Sequence, residues 1–279
     1  MTAGKIKINI GQCILYVLLF VLLVISFYPI LWMFFSSFKN INEIYQSALA
    51  FPSKIDFTVY REAIQESGFF RALINSAFVT VWSVFFILIF SSLAAYGFAV
   101  MDFKLKEVFY MVILAGQVVS AQIILIPLFN QFKRMGILNT RMSVICAYVA
   151  IGIPLSTLLL RNSFQSVPKE IYESARVDGA SNFRYYVQFM LPLSKPGISS
   201  VLIYQALFAW NEYLLSLTFL NSNDKKTLPL ILTVFVGRYS MRWDKVFAIL
   251  TLTALPVLIL YLFLQKYFIK GLVAGAVKG

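Results

Sequence analysis

Six apolar stretches, each long enough to cross a lipid bilayer, recur along these 279 residues with no soluble block between them. A bilayer's hydrocarbon core is about 30 Å thick and a helix rises about 1.5 Å per residue, so about 20 apolar residues suffice for one crossing. The stretches lie near 14–35, 77–100, 108–128, 143–160, 198–219 and 246–264. Composition agrees, with 60% hydrophobic and only 13% charged residues, where a soluble domain carries roughly 25% charged. Such a chain cannot cover itself with polar groups in water. The expected fold class is all-α, a polytopic membrane protein with six transmembrane helices in one domain, 1–279.

The formal net charge of +12 does not point to nucleic acid, because Lys and Arg are scattered between apolar segments and form no basic stripe. Positive residues flanking spans suit lipid headgroups instead. There is no histidine, which removes the commonest acid/base catalyst and metal ligand. Cys13 and Cys146 both sit in apolar stretches, where buried thiols packing as small hydrophobes are expected rather than a disulfide or metal site. No catalytic residue, metal site or bound cofactor is expected. The first stretch follows Lys5 and Lys7 but is too long for a signal peptide and lacks a small-x-small cleavage site, so an uncleaved anchor is expected. Lys and Arg divide equally between the two sides of a six-span layout, so their distribution does not orient it. An even number of spans does place both termini on one side with the segment 162–196.

That segment is polar and long enough for two short helices. Pro168 suits a first helical position and Glu170 the positive helix end, so a helix is predicted to about Val177. Gly179 then provides a stop and Ser181 a cap for the next turn. Phe183, Tyr186, Val187 and Met190 follow at helical spacing, predicting an apolar stripe on one face. Leu191-Pro192 should end that helix before the chain re-enters the membrane near Pro196 and Gly197.

Glu173-Ser174-Ala175, Asp178-Gly179-Ala180 and Leu191-Pro192 resemble the coupling-loop signature of ABC importer permeases. That signature reads E-A-A, three residues, G, nine residues, then I-x-L-P. The spacing matches throughout, with Ser174 in the second position and Phe189 in the isoleucine position as the departures. Trp210-Asn211-Glu212-Tyr213, the run Ala94–Ala99, Ser36–Lys39 and the tail from Gln265 to Gly279 are similar to permeases of the maltose and oligosaccharide type, in particular the smaller subunit. The resemblance covers the chain from the first span to the last residue.

The resemblance implies the type I ABC importer permease fold, with a peripheral first span, core spans over about 70–268 and a coupling loop at 162–196. It implies a second related permease, two ATPase subunits, an extracytoplasmic solute-binding protein and a cell-membrane location with both termini cytosolic. ATP and Mg would be held by the ATPase, since this chain carries no G-x-x-x-x-G-K-[S/T] phosphate loop. Glu173, Ser174, Ala175, Asp178, Gly179, Ala180, Phe183, Leu191 and Pro192 would then couple to the ATPase, with Ala175 and Gly179 permitting close helix approach. An amphipathic helix resting on headgroups is the plainer alternative. Gly237, Arg238, Tyr239, Met241 and Trp243, in an outward loop 221–245, would dock the binding protein, and Gly275, Lys278 and Gly279 would touch the ATPase. Glu212 is the one acidic residue deep in a predicted span. With Trp210, Asn211 and Tyr213 it either lines the solute path or gate, or it accepts hydrogen bonds from a neighbouring helix or Tyr213. An ion-coupled transporter would place acids or histidines along its path, and a membrane enzyme would need a reactive cluster that is missing here. Sugars, and alternatively solutes such as glycerol phosphate, use permeases of this appearance.

Overall fold

The computed structural model describes residues 10–47, 49–237 and 241–276. Arg238, Tyr239, Lys278 and Gly279 lie outside the described residues, as do the side chains of Cys13 and of the tail beyond Leu262. In chain order the helices are α1 (Ile10–Ser36), α2 (Ile41–Gln46), α3 (Thr58–Ser67), α4 (Phe69–Val100), α5 (Lys106–Ala115), α6 (Ala121–Arg134) and α7 (Arg141–Gln165). Then come α8 (Lys169–Val177), α9 (Asn182–Tyr185), a π turn (Tyr186–Met190), α10 (Leu191–Leu193), α11 (Lys195–Asn211) and α12 (Leu214–Phe219). After these follow α13 (Leu228–Ile231), a 3-10 turn (Leu232–Phe235) and α14 (Trp243–Ala276). No β-strand occurs among the described residues, apart from a single bridge between Val236 and Met241.

One compact unit comprises residues 1–67 and 232–254. Here α1 is exposed along nearly its whole length, from Ile14 to Leu31, a surface that water would not tolerate and lipid or a partner would. Its C-terminal end is anchored by Trp32, edge-on to Phe247 at 5.1 Å, and by Phe38 against Phe57 and Tyr60. Lys245 is buried and pairs with Glu62 at 3.1 Å and with Glu66. Burial opposes its charge, but both carboxylates hold the ammonium above the ordinary lysine range.

The other unit comprises residues 68–231 and 255–279. Its frame is α4 packed along α7, with α11 as the third member. The three meet at Gly152, where an added Cβ would lie 2.5 Å from Ile87 Cδ1 and 3.0 Å from Gln205 Oε1. Gln205 is buried and donates to the Gly152 carbonyl (3.2 Å) and to Ser156 Oγ (2.9 Å), so a polar side chain bridges α11 to α7 inside the bundle. Cys146, expected to be buried, is exposed on the outer side of α7.

Three described helices are long and apolar enough to span a membrane: Ile14–Ser36, Phe69–Val100 and Arg141–Gln165. Two of the predicted continuous spans are interrupted. The stretch 108–128 breaks between α5 and α6, where Gly116, Gln117 and Val118 tighten into three-residue turns and Ser120 turns extended. The stretch 198–219 breaks at Glu212, whose backbone is extended (φ −68°, ψ 128°). The second span also starts earlier than predicted, at Phe69.

Candidate functional site

The loop between α7 and α11 takes its shape from its own sequence at first. Pro168 (φ −57°, ψ 137°) stands just before α8 rather than in its first turn, Glu170 faces the positive helix end and Arg176 the negative one. At the far end Gly179 adopts φ +75°. Its N–H donates to the Arg176 carbonyl (3.1 Å), and Ala180 N–H donates to the Ala175 carbonyl (2.9 Å). This pair of bonds is the Schellman stop, in which a left-handed residue lets the chain fold back onto orphan helix carbonyls. The small residues at both ends of the second bond, Ala175 and Ala180, are buried. Ser181 Oγ then accepts from Arg184 N–H (3.2 Å) and starts α9, as predicted.

Beyond Tyr185 the structure departs from the predicted stripe. Leu191 N–H reaches back five residues to the Tyr186 carbonyl, closing the π turn. The wider turn accommodates Pro192, which lacks an N–H, so the helix continues through α10 and Ser194 almost directly into α11. The added residue slips the helical phase. Tyr186 and Met190 turn inward beside Tyr185, whereas Phe183 is left 72% exposed and Val187 also faces out.

The inward face seats the loop on α4 and α7. Ala175, Ala180, Tyr185, Tyr186 and Met190 pack with Ala95, Tyr96, Leu160 and Phe164. Tyr96 Oη donates to the Asn182 carbonyl (3.0 Å), and the Ser92 and Tyr186 hydroxyls bond at 2.7 Å. Tyr172 meets Tyr185 edge-on at 5.0 Å, and burial, then Tyr172, raises the Tyr185 phenol above its ordinary range. Ala175 was expected on the partner-facing side together with Gly179. It faces the chain's own core instead. The outward face carries Glu173, Ser174, Asp178, Gly179 and Phe183, with Pro192 exposed and Leu191 half-buried. It also carries Val177, 88% exposed and not singled out by the sequence. Its apolar exposure next to Phe183 becomes visible only when the loop's two faces are told apart.

Arg161, in α7 just ahead of this segment, was also missed. Its guanidinium pairs with Glu107 of α5 (2.6 Å), lies 3.9 Å from the Tyr110 ring centre and donates to the Phe98 carbonyl at the end of α4 (3.3 Å).

The opposite end of α4 holds a different loop. Asn75 Nδ2 donates to the carbonyls of Asp224 and Lys226 (2.9 Å each), and Ser76 Oγ accepts from Leu228 N–H (2.8 Å). From residue 75 to residue 96 a straight helix rises about 30 Å, the thickness of a bilayer core. The loop 162–196 and the loop after α12 are therefore separated by one membrane thickness.

Of the four residues Trp210–Tyr213, Glu212 has a defined structural role. Its carboxylate accepts from Leu215 N–H (2.7 Å), Ser216 N–H (3.1 Å) and Tyr148 Oη (2.7 Å), so it starts α12 and ties it to α7. The partner is Tyr148 rather than Tyr213, which is exposed. Asn211 is exposed and donates to the Leu207 carbonyl (2.8 Å), and Trp210 is half-buried. In the first unit, Gly237 is exposed, Met241 pairs with Val236, and Trp243 stacks on Phe247 at 5.8 Å. Gly275 lies within α14. No cluster of metal-ligating side chains occurs among the described residues.

Long apolar helices, a bilayer-length α4 and a polar helical loop seated across its end define a class: an all-helical protein of membrane-spanning character with an ordered polar loop on one face. Residues 87–273 match the family described as binding-protein-dependent transport system inner membrane component, and the chain belongs to that family. It is a permease subunit of ABC-importer type. A probable ABC transporter permease protein, YurM of Bacillus subtilis strain 168, is 33% identical over 273 residues, covering 98% of this chain and 91% of that protein. The arabinooligosaccharides transport system permease protein AraQ of Halalkalibacterium halodurans is 32% identical over 259 residues, covering 91% of this chain and 92% of that one. Among solved structures, a bacterial ABC transporter involved in the import of the acidic polysaccharide alginate superposes with a TM-score of 0.81 at 26% identity, covering 96% of this chain and 100% of that chain.

Proposed function

We propose that this chain is one half of a heterodimeric permease that imports a sugar, an oligosaccharide, delivered by an extracytoplasmic binding protein. A separate pair of ATPase subunits drives it through the loop 162–196. The carrying observation is the two-faced loop, with Ala175, Ala180, Tyr185 and Tyr186 locked onto α4 and α7 while Glu173, Val177, Asp178 and Phe183 face outward. A rigid seat with an exposed face transmits a push from a partner to the spans, whereas a helix merely lying on lipid needs no such seat. The sugar reading is supported by relatives named for arabinooligosaccharides and diacetylchitobiose, and by the alginate importer. The whole chain acts as one permease domain crossing six times, as α1, α4, α5 with α6, α7, α11 with α12, and α14. Both termini and the loop 162–196 face the cytosol. ATP and Mg belong to the ATPase partner, and this subunit performs no catalysis itself. Trp210 and Asn211 stay assigned to the path or gate, Gly237, Arg238, Tyr239, Met241 and Trp243 to binding-protein docking, and Gly275, Lys278 and Gly279 to the ATPase.

Gly179→Asp tests the central claim cleanly. A Cβ at 179 meets nothing within 4 Å, so inside the chain the cost is confined to the positive φ, about 1 kcal/mol. Permease abundance should stay near normal while ATPase co-purification and sugar uptake both fall, by about tenfold if about 1.4 kcal/mol of docking is lost. Glu173→Lys should act in the same direction. Normal uptake at normal abundance in both variants would remove the loop from the coupling role, and a panel of sugars in the same uptake assay identifies the solute.

A further inference from the structure

The turn from α4 to α5 holds a strained residue and is bridged by one side chain. Leu105, just before α5, sits at φ +63°, a left-handed conformation that an L-leucine resists and a glycine would not. Such a conformation persists where surrounding contacts over-determine it. Here they come from Arg161 of α7. On the α4 side its guanidinium donates to the Phe98 carbonyl (3.3 Å), one of the orphan carbonyls at that helix end. On the α5 side it pairs with Glu107 (2.6 Å) and covers the Tyr110 ring. A rigid fork of N–H donors lets one arginine hold both arms of the turn.

Little else fastens α5. Tyr110 is its only buried residue, and Phe98 meets that ring at 5.5 Å as well. Among the described residues, Glu107 makes the only side-chain hydrogen bond from α5 to another helix. An arginine that merely reached from a span end to headgroups would keep its head in water, whereas the Arg161 side chain is 14% exposed. The grip also lies at the root of the loop 162–196. Two residues on, a Cβ at Gly197 of α11 would fall 2.6 Å from Ser163 Cβ, so the two ends of the loop close on each other. The loop, α7 and α11 are joined at that base, and Arg161 is where α5 is attached to it.

We propose that Arg161 is a positioning residue that makes α5, and the span it shares with α6, follow α7 when the loop 162–196 is pushed. The inference rests on the coupling role of that loop set out under Proposed function. Without the grip the strained turn at Leu105 can relax, and α5 lags behind α4 and α7. The ATPase still docks and hydrolyses, because Arg161 lies outside the exposed face of the loop, but fewer cycles carry a sugar across.

The experiment uses the full transporter, with its ATPase and binding protein, in proteoliposomes. It records ATPase co-purification, ATP hydrolysis and uptake of a radiolabelled oligosaccharide that the wild type carries in the panel above. Uptake per ATP hydrolysed should fall about tenfold in Arg161→Gln, within the usual span of coupling between linked sites, with ATPase co-purification unchanged. In a chain with Cys13 and Cys146 replaced, nitroxides at the exposed positions Met111 of α5 and Leu159 of α7 report the motion directly. Their separation should hold on adding ATP in the wild type and change in Arg161→Gln. Glu107→Gln, at the exposed end of the ion pair, should lower the ratio in smaller measure, and it carries the test if Arg161→Gln accumulates poorly. An unchanged ratio in both variants would overturn the positioning role, as would a wild-type separation that itself changes with ATP. Loss of ATPase co-purification in Arg161→Gln would overturn it too, by placing Arg161 in docking. Normal uptake in Gly179→Asp and Glu173→Lys would instead overturn the coupling reading, and the role of Arg161 with it.

Discussion

Glu212 illustrates how a charged group becomes acceptable inside a membrane bundle. An isolated carboxylate there is costly, but this one accepts two backbone N–H bonds and the Tyr148 hydroxyl. Tyr148 also meets the Ser216 hydroxyl at 2.7 Å, so the group is part of a small closed network. Removing the acceptor should leave the first amides of α12 and a buried phenol without a partner. Glu212→Ala is expected to destabilise the permease by about 2–3 kcal/mol, given that bonds to charged groups contribute about 1.5–3 kcal/mol each. Tyr148→Phe should cost about 1 kcal/mol, in line with hydrogen bonds between membrane helices. Thermal unfolding in detergent would read both, and a double-mutant cycle with no coupling energy would contradict the network. Local chemistry at Gly179 and Ser181 was legible in the sequence, because a left-handed stop and an N-cap are decided by neighbours within five residues. Glu212 left its two readings open, since its hydroxyl partner is 64 residues away.

At the scale of elements, the junction of α4, α7 and α11 depends on a missing side chain. Because a Cβ on Gly152 would clash first with Ile87 Cδ1, Gly152→Ala should destabilise by about 1–3 kcal/mol, the usual range for overpacking. The closest conflict is with the tip of one side chain, and Ile87→Val removes that methyl, leaving Gln205 Oε1 at 3.0 Å and Ile87 Cγ1 at 3.1 Å. The double variant Gly152→Ala/Ile87→Val should therefore recover a large part of the lost stability in the same melting assay, and failure to recover would mean that Gln205 Oε1 and Ile87 Cγ1, not the Cδ1 methyl, set the cost. The interrupted spans follow the same logic. Apolarity over 108–128 and 198–219 predicted continuous helices, but the break at 116–120 lies where Gly116 approaches Pro154, and the break at 212 where Glu212 turns to cap α12. Hydropathy measures how much of a segment prefers lipid, and it is blind to where the helix axis changes direction. The π turn at Tyr186–Met190 escaped for a related reason: a repeat of 3.6 was assumed from Phe183 to Met190, with the helix ending at Leu191-Pro192.

At the scale of the whole molecule, α4 serves as the ruler. Its two ends are bonded to two loops, so those loops must be accessible from opposite sides of the bilayer if the chain spans as proposed. In a chain with Cys13 and Cys146 replaced, a cysteine at Asn223 should react with an impermeant reagent added outside, and one at Ser181 should react only after the membrane is opened. Labelling of both from outside would end the six-span layout. The reverse pattern would invert it.

Class and the likeness of the loop to an ABC permease motif both come from one-dimensional properties: apolar length, fixed spacing and backbone preference. Those are set by each residue and its near neighbours, so they survive without knowledge of the fold. Which face of the loop is buried, why Ala175 looks inward and what Arg161 holds were decided only by tertiary structure. Each of these depends on where two stretches far apart in the chain come to lie side by side, and burial and hydrogen bonding there are properties of the pair.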